Sequence, residues 1–169
     1  MTINVGDRLP NGTLYEYIEV ETEGCPLGPN LFNVEELVPR KKIAIFGLPG
    51  AFTRTCSGKH LPGYTANADA FKKRGVDEIW CVSVNDAYVM GAWGRDQKAV
   101  GIVRMMADGS AEYTRKLGLE QDMSAKGFGI RCQRFSMLVE DGVVKVLNIE
   151  APGKFEVSDA ATMLTQLSR

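Results

Sequence analysis

One cysteine, Cys56, follows a strongly apolar run and precedes a stretch whose composition predicts a helix. The apolar run, Ile43 to Leu48, predicts a central strand that is covered on both faces. A thiol in the first turn of a helix faces unpaired backbone N–H groups and the positive end of the helix dipole, and both stabilise the thiolate. Because the thiolate is the nucleophilic form, the sequence predicts a reactive cysteine at position 56.

Several cysteine chemistries place a thiol at the start of a helix, and the neighbouring residues separate them. A tyrosine-phosphatase loop needs an arginine where this chain has Pro62, and a thioredoxin-type dithiol needs a second cysteine where it has Lys59. A hydrolase that pairs cysteine with histidine would need His60 as its base, and contact with the sulfur is possible one helical turn along the same face. A packed or hydrogen-bonded role is favoured for His60 over proton transfer.

The composition predicts one globular domain over residues 1–169. Hydrophobic residues make up 44% of the chain and charged residues 24%, which is ordinary for a globular protein. The net charge is -1, which argues against nucleic acid or an anionic membrane as the main partner. No apolar stretch has the length of a membrane span, and the N-terminus lacks the features of a signal peptide. We therefore expect a cytoplasmic protein.

The four cysteines, at positions 25, 56, 81 and 132, form no C-x-x-C pair and no zinc-type cluster with the single histidine. In a reducing compartment, cysteines scattered in this way are typical free thiols. No metal and no organic cofactor are expected, since sulfur itself can carry redox chemistry.

Alternating and continuous apolar runs predict the strands. They cover residues 13–20, 43–48, 78–84 and 102–106, with a C-terminal hairpin of 135–140 and 143–147. The Asp141-Gly142 pair between the hairpin strands is typical of a type I′ turn. Helices are expected after an interruption at Pro62-Gly63, after an N-cap at Asn85-Asp86, before Gly118, and after a cap at Ser158-Asp159. The order β-α-β-α-β-α-β-β-α predicts an α/β fold with a central mixed sheet flanked by helices.

Two residues upstream of Cys56 extend the pattern. Pro49, Thr53 and Cys56 form P-x-x-x-T-x-x-C, the signature of peroxiredoxins. The chain resembles the type II, or peroxiredoxin-five-like, subfamily over most of residues 3–167. The segments that carry this resemblance are Pro49 to Thr53, Cys56-Ser57, His60 to Gly63, Ser83 to Asp86, and Arg134 to Ser136. The resemblance implies a thioredoxin-like fold with an N-terminal extension and an insertion.

The resemblance also implies a thiol peroxidase that reduces hydrogen peroxide and small alkyl hydroperoxides. It makes Cys56 the peroxidatic cysteine, Thr53 the residue that hydrogen-bonds the peroxide, Pro49 a shield of the pocket, and Arg134 the active-site arginine. A guanidinium near the sulfur stabilises the thiolate and can donate to the peroxide oxygens. The backbone N–H of Thr55 is a further candidate donor in the substrate pocket.

Two more arginines flank the predicted site. Arg131 is expected to be a surface cation. Arg54, next to the nucleophile, is expected to border the pocket and tune its charge.

Attack on peroxide leaves a sulfenic acid on Cys56, which a second thiol must reduce. The stretch 150–158, where animal members of the subfamily carry a resolving cysteine, contains none here. Cys81 matches a cysteine of plant-type members, but a mid-strand position favours a buried, inert thiol. Cys132 is expected near the pocket rim or on a strand edge, and Cys25 in an exposed loop.

We therefore expect glutathione, with or without glutaredoxin, to reduce Cys56. One alternative is a thioredoxin-dependent cycle that uses Cys81 as resolving cysteine. Another is a peroxide sensor or relay that passes its oxidation to a partner protein, and a non-catalytic scaffold is a third. The resemblance further implies a homodimer, to which the helix that carries Trp93 contributes.

Overall fold

Two groups of apolar side chains dictate a layered architecture around one sheet. The computed structural model describes residues 1–167. Seven strands form the sheet in the order β2-β1-β5-β4-β3-β8-β9. Their bounds are β1 Thr13–Ile18, β2 Gly28–Asn33, β3 Lys42–Leu48, β4 Glu78–Ser83, β5 Arg104–Ala107, β8 Phe135–Glu140 and β9 Val143–Ile149. A separate two-stranded sheet pairs β6, Glu120–Asp122, with β7, Ile130–Cys132.

The helices lie between and around these strands. Their bounds are α1 Val34–Leu37, α2 Leu61–Ala66, α3 Ala68–Lys73, α4 Ala87–Asp96, α5 Glu112–Leu117 and α6 Ala160–Leu167, with a π-helical turn at Cys56–His60 and a 3-10 turn at Ser124–Lys126. None of the helices within residues 1–167 combines the length and apolar character needed to cross a membrane.

The sheet is mixed, as the sequence predicted. β3 pairs in parallel with β4, and β4 with β5, whereas β8 and β1 join this parallel centre in antiparallel fashion. Alternate residues of β3 face opposite sides, so that Phe46 belongs to one apolar cluster and Ile45 to the other. The strand ends that matter for function are the carboxyl ends of β3 and β4, which lie side by side.

Local turn and cap chemistry formed where the sequence predicted it. Asp141 and Gly142 have φ values of 47° and 79°, the positive values that a type I′ turn requires. The Asp86 carboxylate accepts a hydrogen bond from the Val89 N–H at 2.9 Å and so caps α4. At the start of α6 the cap is Asp159, whose carboxylate binds the Thr162 N–H, while Ser158 has a different partner.

Two local expectations were wrong, and the strands β2, β6 and β7 were not predicted. Pro62 and Gly63 lie inside α2, and the chain is helical from Arg54 onward. The π-helical turn closes with the Leu61 N–H on the Cys56 carbonyl, so the proline follows a change in hydrogen-bond register and stands in the first turn of α2, where its missing N–H is tolerated. The third strand begins at Arg104 rather than at 102.

Candidate active site

Cys56 lies at the strand-to-helix junction that the sequence predicted. β3 ends at Leu48, a turn carries the chain to Thr53, and the Ser57 N–H binds the Thr53 carbonyl at 2.9 Å to open the helical stretch. Cys56 is in its first turn, where backbone N–H groups lack helical acceptors. Its side chain is only 1% exposed and belongs to the apolar cluster on one face of the sheet. The thiol is therefore shielded from bulk solvent.

Arg134 brings a positive charge to this buried sulfur. One guanidinium nitrogen, Nη2, donates to Cys56 Sγ at 3.3 Å, and the other, Nη1, donates to Nδ1 of His60 at 2.9 Å. The guanidinium also lies 5.7 Å from the centre of the Phe155 ring, a cation–π distance. A cation in direct contact with sulfur stabilises the thiolate over the thiol.

The partners of His60 define its tautomer. Arginine can only donate and a backbone carbonyl can only accept, so Nδ1 accepts from Arg134 and the Nε2–H donates to the Ser158 carbonyl at 3.1 Å. Burial, assisted by the charge of Arg134, lowers the pKa of His60 from 6.5 to about 3. The imidazole is neutral at pH 7, and its basic nitrogen is occupied by the arginine. His60 thus orients Arg134, in agreement with the expectation that it does not transfer protons.

The turn before Cys56 is held by short hydrogen bonds. The Thr53 hydroxyl donates to the Gly50 carbonyl at 2.7 Å, which leaves its oxygen lone pairs as acceptors. The Ala51 N–H donates to the Asn85 side chain at 3.0 Å, and Asn85 is in turn fixed by the Ser83 hydroxyl at 2.6 Å. The side chain of Thr53 is exposed and that of Pro49 is half-buried.

A cavity of about 550 Å³ borders the arginine that holds the sulfur. It is lined by Pro49, Thr55, Gln133 and Arg134 and by residues from the segments 121–126 and 150–155, whereas Cys56 and Thr53 are not part of its wall. This volume greatly exceeds that of hydrogen peroxide. Arg54, expected to border the pocket, is exposed and is not part of the cavity wall.

The segment 150–158 is tied down by one carboxylate. Glu150 accepts hydrogen bonds from the backbone N–H groups of Glu156, Val157 and Ser158 and from the Ser158 hydroxyl, at distances of 2.7 to 2.9 Å. Burial would raise the pKa of Glu150, but the bonds from Ser158 and the backbone outweigh it and lower that pKa. Through Ser158 this carboxylate supports His60, a connection that sequence reasoning missed because it depends on tertiary contacts.

The other three cysteines have different surroundings. All four thiols are free, and Cys81 and Cys132 are both fully buried. Burial raises the pKa of each of these two thiols well above its usual value. Cys132 faces the apolar cluster on the sheet face opposite to Cys56, so its expected place near the pocket rim was wrong. Cys25 is half-buried in the turn that pairs Thr22 with Cys25.

Two further side chains near the site have partners within the chain. Trp93 is fully buried and its indole N–H donates to the Ser57 hydroxyl at 3.0 Å, so it packs within the chain beside the helix of Cys56. Arg131 is not a plain surface cation, because its guanidinium is half-buried and bonded to backbone carbonyls. Within residues 1–167, no group of three or more His, Cys, Asp or Glu side chains could hold a metal ion.

The sheet with its flanking helices, together with a buried cysteine bonded to arginine at a helix start, defines a thiol-based redox protein of the thioredoxin-like class. The redoxin family pattern matches residues 4–164. Peroxiredoxin-2B of Arabidopsis thaliana is 46% identical over 165 residues, which cover 98% of each chain. The chain belongs to the peroxiredoxins, in the type II, peroxiredoxin-five-like group, and is a thiol peroxidase.

Solved structures agree with this assignment. The crystal structure of reduced Prx3 from Vibrio vulnificus in complex with hydrogen peroxide is 48% identical, with a TM-score of 0.90, and the match covers 98% of this chain and 99% of the other. A Burkholderia cenocepacia structure that carries a thioredoxin reductase name is 59% identical, with a TM-score of 0.96 over 98% of both chains. That name differs from the others, but the fold is the same.

Proposed function

We propose that this peroxiredoxin reduces hydrogen peroxide and small alkyl hydroperoxides through Cys56 as its peroxidatic cysteine. The observation that carries the proposal is the hydrogen bond of 3.3 Å to Cys56 Sγ from Arg134, which itself lines an open cavity. A shielded sulfur paired with a fixed cation, with space for a substrate beside it, has the features of an activated nucleophile.

In the proposed reaction, the Cys56 thiolate attacks one oxygen of the peroxide and the O–O bond breaks. The sulfur is oxidised to a sulfenic acid, and the leaving oxygen departs as hydroxide or alkoxide, which takes a proton from water. Arg134 donates to the peroxide oxygens as negative charge develops on them. The Thr53 hydroxyl, which donates to the Gly50 carbonyl, is left to accept a hydrogen bond from the hydroperoxide O–H.

Two other groups shape the same space. The ring of Pro49, which lines the cavity, shields the sulfur from bulk water, and the backbone N–H of Thr55, which also lines it, is a further candidate donor. Their proposed work is to exclude water and to position the substrate.

We propose further that glutathione, with or without glutaredoxin, regenerates Cys56. A glutathione thiol condenses with the sulfenic acid to give a mixed disulfide and water, and a second glutathione releases the Cys56 thiol and oxidised glutathione. The burial of Cys81 and Cys132 supports an external reductant, because a disulfide needs Cα atoms about 4.4–6.8 Å apart and accessible sulfurs. The cavity beside Arg134 has room for a thiol larger than the peroxide.

A variant that lacks Cys25, Cys81 and Cys132 but keeps Cys56 tests this cycle. Peroxide consumption is followed with glutathione and glutaredoxin, and in parallel with thioredoxin and its reductase. We expect the variant to keep the glutathione-supported turnover of the wild type, and Cys56→Ser to lose it. Loss of turnover in the triple variant would establish an internal resolving cysteine, with Cys81 as the first candidate. Stoichiometric oxidation without turnover in either system would favour a sensor or relay.

We also propose a homodimer that forms around the site. Three aromatic side chains on the surrounding segments, Phe52, Tyr88 and Phe128, are 55%, 67% and 49% exposed. Phe52 follows β3 and Tyr88 follows β4, so these two lie beyond the carboxyl ends of neighbouring strands, and exposed aromatic rings are typical of protein interfaces. Sedimentation equilibrium should give twice the chain mass for the wild type and a weaker association for Tyr88→Ser.

The free cysteines suit a reducing compartment, and the cytoplasm remains the proposed location.

A further inference from the structure

Arg131 precedes Arg134 by three residues, yet its guanidinium has a different set of partners. Nη1 donates to the carbonyls of Pro49 and Val84 at 3.3 and 3.4 Å, and Nε donates to the carbonyl of Phe128 at 2.9 Å. The ion pairs found among residues 1–167 do not include it. The charge of Arg131 is thus satisfied by backbone dipoles.

The carbonyls of Pro49 and Val84 belong to the two segments that frame the site. Pro49 directly follows β3, which ends at Leu48, and Val84 directly follows β4, which ends at Ser83. One guanidinium nitrogen therefore crosslinks the carboxyl ends of two neighbouring parallel strands. The third bond, to Phe128, anchors the arginine to the segment that precedes its own strand, β7.

The guanidinium also packs against the turn itself. A Cβ atom added to Gly50 would lie 3.0 Å from Arg131 Nη1 and 3.4 Å from Thr53 Cγ2, so the glycine leaves room for this close approach. On one side of Gly50, the Pro49 carbonyl is held by Arg131. On the other side, the Ala51 N–H is held by Asn85 at 3.0 Å. The Gly50 carbonyl between these two anchors accepts the Thr53 hydroxyl.

We propose that Arg131 is a positioning residue for peroxide reduction, which crosslinks the ends of β3 and β4 and thereby sets Pro49 and Thr53 relative to the Cys56 sulfur. Arg134 binds the sulfur directly, whereas Arg131 holds the backbone of the turn that carries Pro49 and Thr53. Lysine cannot replace it, because a single ammonium lacks the fixed fork of donors that reaches carbonyls in different directions.

Arg131→Lys tests the proposal because it keeps the charge and removes the fork. We expect the second-order rate constant of the reduced protein with hydrogen peroxide to fall roughly tenfold or more, since small errors of placement are costly in catalysis. Alkylation of Cys56 by iodoacetamide needs a nucleophilic sulfur but no hydrogen bonds to a peroxide. Its rate should therefore stay within about twofold of the wild-type rate at every pH. Arg115→Lys, at an exposed arginine that donates to the Ser110 carbonyl, is the matched control.

Gly50→Ala disturbs the same contact from the other side and leaves Arg131 in place. Alone it should also slow the peroxide reaction. In the Arg131→Lys background its added effect should be smaller, because the two changes remove the same contact. If Arg131→Lys does not fold, the effect of Gly50→Ala on the peroxide rate decides the question.

An unchanged peroxide rate in Arg131→Lys, or in Gly50→Ala where that variant decides, would overturn the proposal. Equal losses in alkylation and peroxide reduction would also overturn it, because they would indicate an effect on the sulfur itself. Strictly additive effects in the double variant would show that the two residues do not act through one contact.

Discussion

Cys56 and Cys81 lie in the same apolar layer on one face of the sheet, and their exposures are nearly equal, at 1% and 0%. The groups that surround the two sulfurs differ. Cys56 lies in the first turn of a helical stretch and receives a hydrogen bond from a guanidinium. Cys81 lies in the middle of β4, paired with Phe46 on one side and Met105 on the other. Burial by itself therefore does not distinguish a reactive thiol from an inert one.

The direction of the electrostatic effects gives the physical reason. Burial raises the pKa of Cys81, and negative charge on Cys56 raises it further. At Cys56, the cation of Arg134 is in contact with the sulfur, and the neutral His60 holds that cation without cancelling its charge. An acidic partner for Arg134 would compete with the sulfur, and an imidazole with a pKa of about 3 does not.

The largest change is expected where the two thiols differ most, at Arg134. Arg134→Met removes the charge and both donors, and the rate constant with hydrogen peroxide should fall about 10²- to 10³-fold, as for other lost donors at a developing oxyanion. Stopped-flow mixing of the reduced protein with peroxide measures it, with Arg115→Met as the control. A loss of less than threefold would contradict the role given to the guanidinium.

An intermediate effect is expected in the pH dependence of stability. The unfolded chain takes up a proton on His60 near pH 6.5, whereas the folded protein holds the pKa of His60 at about 3. Between these values the unfolded state binds more protons, so the protein loses stability as the pH falls. His60→Gln should reduce this slope by up to about 1.4 kcal/mol per pH unit.

Denaturant unfolding of both proteins at several pH values between 6.5 and 3 measures the difference. Glu78 and Glu150, whose pKa values are lowered, add a loss of the same sign in acid. They are present in both proteins, so they cancel in the comparison. Equal slopes for wild type and His60→Gln would mean that folding does not lower the pKa of His60.

The smallest effect is expected at the inert thiol. Cys81→Ala leaves a small void in the core and should lower the free energy of unfolding by about 1–2 kcal/mol. The rate constant with peroxide should stay unchanged, since the sulfur of Cys81 takes no part in the first step. Urea unfolding and stopped-flow kinetics on the same sample test both halves. A slower peroxide reaction with unaltered stability would reverse the contrast between the two cysteines.

Much of this contrast was readable from the sequence because it depends on local signals. The apolar run of β3, the Asp141-Gly142 turn and the Asp86 cap are encoded by neighbouring residues, and the structure confirmed them. The P-x-x-x-T-x-x-C spacing likewise places Thr53 and Cys56 within one turn of each other. These features require no knowledge of distant contacts.

The features that sequence reasoning missed are those that distant segments create. β2 contains Gly28, Pro29 and Asn30, which are turn formers, and it is a strand because it pairs with β1. Arg131 looked like a surface cation because its acceptors are carbonyls from three different loops. The contact of the Asn85 side chain with the Ala51 N–H was also missed. The available signal was that Asn85 lies in the segment Ser83 to Asp86, which carries part of the family resemblance.

The central claim is that the hydrogen bond from Arg134 makes Cys56 the reactive thiol, while the buried Cys81 and Cys132, whose pKa values burial raises, stay unreactive. The most direct test is alkylation of the native, reduced protein with iodoacetamide across a series of pH values, with each cysteine quantified by peptide mass spectrometry. We predict that Cys56 is alkylated faster than the other buried cysteines at every pH of the series, that Arg134→Met loses this reactivity, and that Cys81 and Cys132 stay unmodified throughout. Alkylation of Cys56 no faster than that of Cys81, or an unchanged rate in Arg134→Met, would contradict the account.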